Sequence, residues 1–285
     1  MRRFHSINAL LKTVFHKGFR LPETIQIQQN MLPYAFLPLS FIKMNTEPIR
    51  LSKQMAQLKM CSRREADEYI EKGWVRVNGS LAVLGQKVMP YDKIELLTPA
   101  RQNIQNKITV ILHKPVGFVS SQPEKNYLSA LSLITADNFD AKNNEQLPKL
   151  PIKGLAPAGR LDIDSTGLLV LTQNGVIAKK IIGEDSTIDK EYLVRIAGKL
   201  DDTGLKLLNF GLSLDGKKLK PAIVTRQNEQ QLKFILQEGK KRQIRRMCEL
   251  VGVKVIGLKR VRIGKVKLAD LPLGKWRVLS HNERF

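Results

Sequence analysis

The sequence predicts an α+β protein, a small two-helix module followed by a larger domain built mainly on an antiparallel sheet. Three observations carry that reading. Two stretches with helical apolar spacing and an Asn-Gly turn are crowded into residues 49–97. Beyond Ile108, apolar runs of strand length recur without regular alternation with helices, which argues against a doubly wound parallel sheet. A chain of 285 residues is also long enough to bury a separate core in each part.

Charge narrows the class of partner. The 48 Lys and Arg residues exceed the 26 Asp and Glu, giving a formal net charge of +22 and a pI near 10.1. The excess is spread along the chain rather than gathered in one tail, so the folded surface attracts polyanions, nucleic acid foremost. No apolar run approaches the roughly 18 residues of a spanning helix, so no membrane is expected and the chain reads as cytoplasmic. Cys61 and Cys248 lie far apart with no CxxC companion, which excludes a disulfide framework and a Cys/His zinc site.

Residues 1–48 read as an N-terminal extension without a fold: basic, almost free of acidic residues, and without an apolar period. A secretory signal is excluded by the missing apolar core and cleavage site. An organelle transit peptide fits loosely, and a start at Met44 is the plainer alternative.

The order begins at Arg50. Leu51, Met55 and Leu58 recur at helical spacing, and Ser62-Arg63-Arg64-Glu65 forms a capping box that opens a second helix with Ala66, Tyr69 and Ile70 turned inward. Gly73 ends it. Trp74-Val75-Arg76-Val77 alternates as a strand, and Asn78-Gly79 is the strongest short hairpin signal. Arg50, Lys53, Lys59, Arg63 and Arg64 cluster on and between the helices, where they can meet phosphates, although a solvated helix face is the ordinary fate of such residues. The string CSRREADEYIEKGWVRVNG resembles the S4 RNA-binding domain, over residues 49–97. At Lys59 such domains often carry a glycine, so the turn between the helices is expected to differ in detail.

Residues 98–107, rich in Gln and Asn, read as a linker, and residues 108–285 as the second domain. Strands are predicted at Ile108 to Leu112, Leu168 to Thr172, Glu191 to Ile196, Leu232 to Gln237 and Val253 to Val261. Between the last two lies a helix whose face carries Ile244, Met247, Cys248 and Val251, with Gly252 as its cap. Asp137 to Lys153 is polar and loop-like.

One segment stands out chemically. Ala158 to Thr172 holds two carboxylates, Asp162 and Asp164, in a loop that delivers the chain into a buried strand. Alone, such a carboxylate is more often a turn former than a catalyst. Farther on, Gly239 to Arg246 forms an Arg-rich helix start, able to keep a buried carboxylate ionised and to attract phosphate.

KPVG at Lys114, GRLDIDSTGLLVLT at Gly159, KEYLV at Lys190 and EGKKRQIRRM at Glu238 resemble, in order, the motifs of the pseudouridine synthases related to the ribosomal small-subunit enzyme and its large-subunit relatives. CSRREAD and RRMCELVG look closest to the large-subunit branch, which modifies 23S rRNA and, in some members, a tRNA. The resemblance implies that Asp162 is the catalytic carboxylate, that Tyr192 stacks beneath the target base and that Arg245 pairs with Asp162. Arg160 would fill the gap left by the flipped base. Together with Arg50, Lys53, Arg63, Arg64, Lys114 and Arg242 it would form the RNA-binding set. Asp164 is expected to hold the loop through side-chain to backbone hydrogen bonds. No cofactor or metal is needed, and a monomer is expected.

Two rivals come from other classes. Asp162-Ile163-Asp164-Ser165-Thr166 also fits the DxDxT of a Mg²⁺-dependent phosphatase, yet Ala158-Gly159-Arg160 is not the apolar strand that such a motif follows. A non-catalytic RNA-binding assembly factor explains the charge and the S4-like module but gives Asp162 no task. Within the resembled family, 16S rRNA is the alternative substrate.

Overall fold

A computed structural model describes residues 47–122, 126–141 and 146–285; the expectations for the first 46 residues lie outside them. The front module runs β1 (Ile49–Arg50), α1 (Leu51–Gln57), α2 (Arg63–Glu71), β2 (Val75–Val77), β3 (Ser80–Leu81), β4 (Lys87–Val88) and β5 (Ile94–Leu96). The capping box forms as its sequence requires: the Glu65 N–H donates to Ser62 Oγ at 3.4 Å, and the Ser62 N–H to the Glu65 carboxylate at 2.6 Å. Ala66, Tyr69 and Ile70 are buried with Leu51, Met55, Val75 and Val77 in one apolar cluster. Asn78 and Gly79, at φ 51° and 87°, close a two-residue hairpin that sets Val77 opposite Ser80.

Two details of this module depart from expectation. Leu58 lies beyond the last turn of α1 and is 55% exposed, so the inward face of α1 is Leu51, Met55 and Ala56. The chain then turns through Lys59 at φ 59°, in the left-handed region that favours glycine. The turn is therefore made with a side chain in place, at a cost of about 1 kcal/mol.

Residues 98–107 are not a linker. They form α3 (Thr98–Gln105), which starts with Pro99 in its first turn and buries Ala100, while Ile104 packs on the cluster of the front module. Only those two apolar positions, four apart, face inward, and the Gln and Asn residues around them obscured the period. Past the helix, Lys107 pairs with Glu65 of the capping box and donates to Tyr69 Oη at 3.2 Å. The end of this segment is thus tied to the front module by a partly buried ionic contact.

The larger domain runs β6 (Thr109–Lys114), β7 (Ala156–Pro157), β8 (Thr166–Thr172), α4 (Gly175–Ile182), β9 (Lys190–Ala197), α5 (Asp202–Asn209), β10 (Ser213–Leu214), β11 (Lys217–Lys218), β12 (Ile223–Asn228), β13 (Gln231–Leu236), α6 (Gln243–Leu250), β14 (Lys254–Ile263), β15 (Val266–Lys267) and β16 (Trp276–Val278). Its sheet has the order β12-β13-β9-β14-β8-β6-β16, with β7 added on β8 and β15 on β14. The α+β class with a mainly antiparallel sheet holds: β8 and β14 pair in parallel, and the other pairs in this sheet are antiparallel. Leu168, Leu169, Val170 and Leu171 are wholly buried, because β8 has a strand on either side and a core on either face. On one face Leu169, Val194, Phe234, Ile244 and Met247 pack together; on the other, Leu168, Val170, Ile181, Ile263 and Val266 do.

The parallel pairing decides where the loop before β8 emerges. Gly167 lies opposite Arg260, at φ 112°, and a Cβ there would sit 2.2 Å from the Arg260 carbonyl oxygen. Only glycine lets the two backbones come this close. Among the described residues no helix is long and apolar enough to cross a membrane.

Candidate active site

The loop between β7 and β8 carries Asp162 and is pinned by the segment that follows β6. Ser120 Oγ donates to the Leu161 carbonyl at 2.6 Å and accepts from the Leu161 N–H at 2.8 Å. The Gly117 N–H donates to the Ile163 carbonyl at 2.8 Å, and within the loop the Ser165 N–H donates to the Asp162 carbonyl at 3.1 Å. Lys114 Nζ donates to the Ser165 carbonyl at 2.8 Å, while Thr166 Oγ1 donates to the Lys114 carbonyl at 2.7 Å. The backbone on both sides of Asp162 is fixed, and its side chain remains 36% exposed. A rigid loop holding a solvent-facing carboxylate is pre-organised to meet a substrate atom.

Two arginines close on this loop from the start of α6. Arg242, the N-cap residue, adopts a left-handed φ of 52° and places its guanidinium in a fork on Asp164, at 3.2 and 3.1 Å. The same guanidinium lies 3.9 Å from the Asp162 carboxylate. Arg245 is buried and donates to the Asp164 and Val255 carbonyls at 2.9 and 3.2 Å; its Nη2 also reaches the Asp164 carboxylate at 3.1 Å.

The expected pairing of Arg245 with Asp162 is therefore replaced by pairing with Asp164. One turn into the helix and packed beneath the loop, Arg245 reaches the near end of the loop, and Arg242 at the helix tip is the cation beside Asp162. Asp164, expected to hold the loop through side-chain to backbone hydrogen bonds, makes one to its own backbone and also anchors both arginines. Burial alone would raise its carboxyl, but Arg242 and Arg245 outweigh burial and hold it below the usual carboxylate range.

Lys114 corrects the RNA-binding expectation outright. It is wholly buried, its Nζ spent on the Pro115 and Ser165 carbonyls, so no phosphate can reach it. Burial lowers its pKa to about 8, although Asp162 and Asp164 oppose the shift. Its position on an inward-facing strand end explains why the KPVG signal is structural. Arg160 is exposed beside Asp162, and Arg50, Lys53, Arg63 and Arg64 are exposed on the front module, where Arg50 also lies 3.4 Å from Asp67. Tyr192 is buried in β9 between Phe234 of β13 and Arg260 of β14.

Ser120, Ser165 and Arg260 were not read from the sequence. Arg260 carried a usable signal, since the alternation of β14 turns it inward after Leu258, where a charged residue needs a reason. Ser120 carried none, because its partner Leu161 is 41 positions away.

Comparisons with known proteins give the family. The family model described as RNA pseudouridylate synthase matches residues 108–250, and the S4 domain model matches residues 49–92. The chain is 35% identical over 240 residues to a protein of Escherichia coli O157:H7 named dual-specificity RNA pseudouridine synthase RluF, covering 82% of this chain and 77% of the other. It is 33% identical over 247 residues to an Arabidopsis thaliana protein named putative ribosomal large subunit pseudouridine synthase SVR1, chloroplastic, covering 83% of this chain and 60% of the other. A crystal structure titled pseudouridylate synthase superposes with a TM-score of 0.56 at 26% identity, covering 81% of this chain and 96% of that one.

Proposed function

The chain belongs to the RNA pseudouridine synthases that carry an S4 domain, and from that premise we propose that it isomerises a uridine of 23S ribosomal RNA with Asp162 as the catalytic carboxylate. The observation that carries the assignment of Asp162 is the loop itself: the backbone on either side is fixed by hydrogen bonds, and the Asp162 carboxylate faces outward beside a cation.

In the reaction the C1′–N1 bond of uridine breaks, the base turns, and a C1′–C5 bond forms. C5 gives up its proton and N1 takes one up, so the product is an isomer and no redox or group carrier enters the balance. A carboxylate serves this chemistry as a nucleophile toward the sugar or base, or as a base toward a ribose proton. The target nucleotide must leave its stack to reach Asp162. Arg160, exposed two residues before Asp162, is suited to fill the space it vacates, and Tyr192 to support the base from below. Arg242 and Arg245 organise the carboxylates, and Arg50, Lys53, Arg63 and Arg64 hold phosphates with the front module.

The ribosomal substrate is supported by the large-subunit name of the Arabidopsis relative and by the S4 domain; a tRNA is a second candidate, because the Escherichia coli relative is named as having dual specificity. The net charge of +22 opposes self-association, in keeping with a monomer. Mapping pseudouridine across total RNA from cells with and without the gene tests the substrate: one 23S position is expected to lose its modification. An unchanged 23S map, or a loss confined to 16S rRNA, contradicts the proposal.

A further inference from the structure

Arg260 takes no part in the chemistry assigned to the loop, yet it is one of the largest wholly enclosed side chains of the described residues, at 2% exposure. Its hydrogen bonds run to carbonyl oxygens. Nε donates to Leu168 at 2.8 Å, Nη1 to Arg160 at 3.4 Å and Nη2 to Gly159 at 3.4 Å. Gly159 and Arg160 lie where the catalytic loop begins, and Leu168 lies just past its end. One guanidinium therefore ties the two stems of the loop to each other, from below. Its Cζ also lies 6.0 Å from the centre of the Tyr192 ring.

The surroundings make this arrangement costly. Lys114 and Lys190 are buried close enough for the charge of Arg260 to bear on both, and both likewise direct Nζ to carbonyls. Three enclosed cations held by backbone dipoles are a poor way to stabilise a core, which an apolar side chain would fill at lower cost. The fork is needed for geometry: a planar group with donors on three nitrogens can span two chain segments and offer a flat face to a ring. Gly167 supports the same junction from the backbone side, where any Cβ would strike the Arg260 carbonyl.

We propose that Arg260 is a positioning residue that sets the spacing between the Asp162 loop and the Tyr192 ring, and so fixes the catalytic carboxylate against the base that Tyr192 supports. This role rests on the assignment of Asp162 and Tyr192 made above. Arg260 acts through those residues, since its own burial keeps it from the RNA.

The test uses the full-length protein and a transcript of the RNA segment containing the mapped uridine, tritiated at uridine C5, whose label is released as the C1′–C5 bond forms. Single-turnover rates are measured over a range of enzyme concentration for wild type, Arg260→Lys and Asp162→Asn, with melting temperatures alongside. Arg260→Lys keeps the charge and loses the fork. It is expected to lower the rate at saturating enzyme by about 100-fold, the scale of a misplacement near 1 Å, with half-saturation within about twofold of wild type. A residue that merely supports folding would lower the melting temperature and leave the saturating rate of the folded fraction intact. A wild-type saturating rate in Arg260→Lys, or a loss seen only in half-saturation, overturns the proposal. If Arg260→Lys does not fold, Arg260→Gln, which keeps a donor for Leu168 without burying charge, takes its place, and failure of both to fold also overturns it. Activity in Asp162→Asn would instead overturn the underlying site assignment, and an inactive Asp162→Asn beside a normal Arg260→Lys would refute the role of Arg260 alone.

Discussion

Lys114 and Lys190 bury their ammonium groups inside the catalytic domain, and this has a consequence that can be measured away from RNA. Burial lowers both from the usual 10.5 to about 8. In the unfolded chain each regains its ordinary value, so between about pH 8 and 10.5 the unfolded state binds more protons and stability rises with pH. Each lysine contributes up to about 1.4 kcal/mol per unit of pH in that window. The buried thiols of Cys61 and Cys248 act in the opposite sense: burial raises both from 9.0 to about 12, and stability is lost as pH climbs past 9. The net expectation is a urea midpoint that increases from about pH 8 to about pH 9 and then levels. Lys114→Met should remove about half of that increase; a midpoint that falls over the same interval would contradict the burial of these lysines. At this scale the sequence was a partial guide. KPVG announced Lys114 as important, but nothing local distinguishes a lysine that meets phosphate from one that braces a loop 51 residues away.

Elements show most clearly what was legible and what was not. Five strands of the catalytic sheet, β6, β8, β9, β13 and β14, announced themselves as apolar runs, and α6 by the spacing of Ile244, Met247 and Cys248, because burial on both faces or on one stripe leaves a periodic trace, whereas β7, β12, β15, β16, α4 and α5 were not read. Helix α3 left almost none, having only Ala100 and Ile104 to bury. The pairing of Arg245 with Asp164 was illegible for another reason: which carboxylate a helix-borne arginine reaches depends on how α6 packs under the loop, and that is fixed by the sheet. The junction of β8 and β14 is the element on which the site depends. Gly167→Ala should cost at least about 3 kcal/mol in urea denaturation and abolish conversion, because the new Cβ must force the two strands apart. Near wild-type stability in this variant would show that the close approach is not required. On the front module, Arg63 and Arg64 open α2 and are exposed. Replacing both with Ala should weaken RNA binding broadly and reduce the log-log salt slope by roughly 0.7 to 0.9 for each phosphate that is no longer neutralised. An unchanged slope would remove them from the interface.

Taken whole, the molecule separates holding RNA from changing it. In the proposed function, affinity is distributed over exposed cations on both domains, within a chain of net charge +22, whereas the chemistry is assigned to the single loop of Asp162. The order of the domains and the location of that loop were readable from motifs, because motif residues are those that the loop and its braces require in a fixed order. The ion pair between Lys107 and the Glu65 capping box was not, since it joins residues 42 apart in the sequence. One neutralised carboxylate is expected to leave the distributed part intact and eliminate the localised part. The direct test is Asp162→Asn, with a binding titration on the target RNA and single-turnover conversion of the same RNA measured side by side. Binding within about twofold of wild type with no pseudouridine formed is the predicted result; conversion at the wild-type rate would contradict the central claim and move the search for the catalytic carboxylate to Asp164.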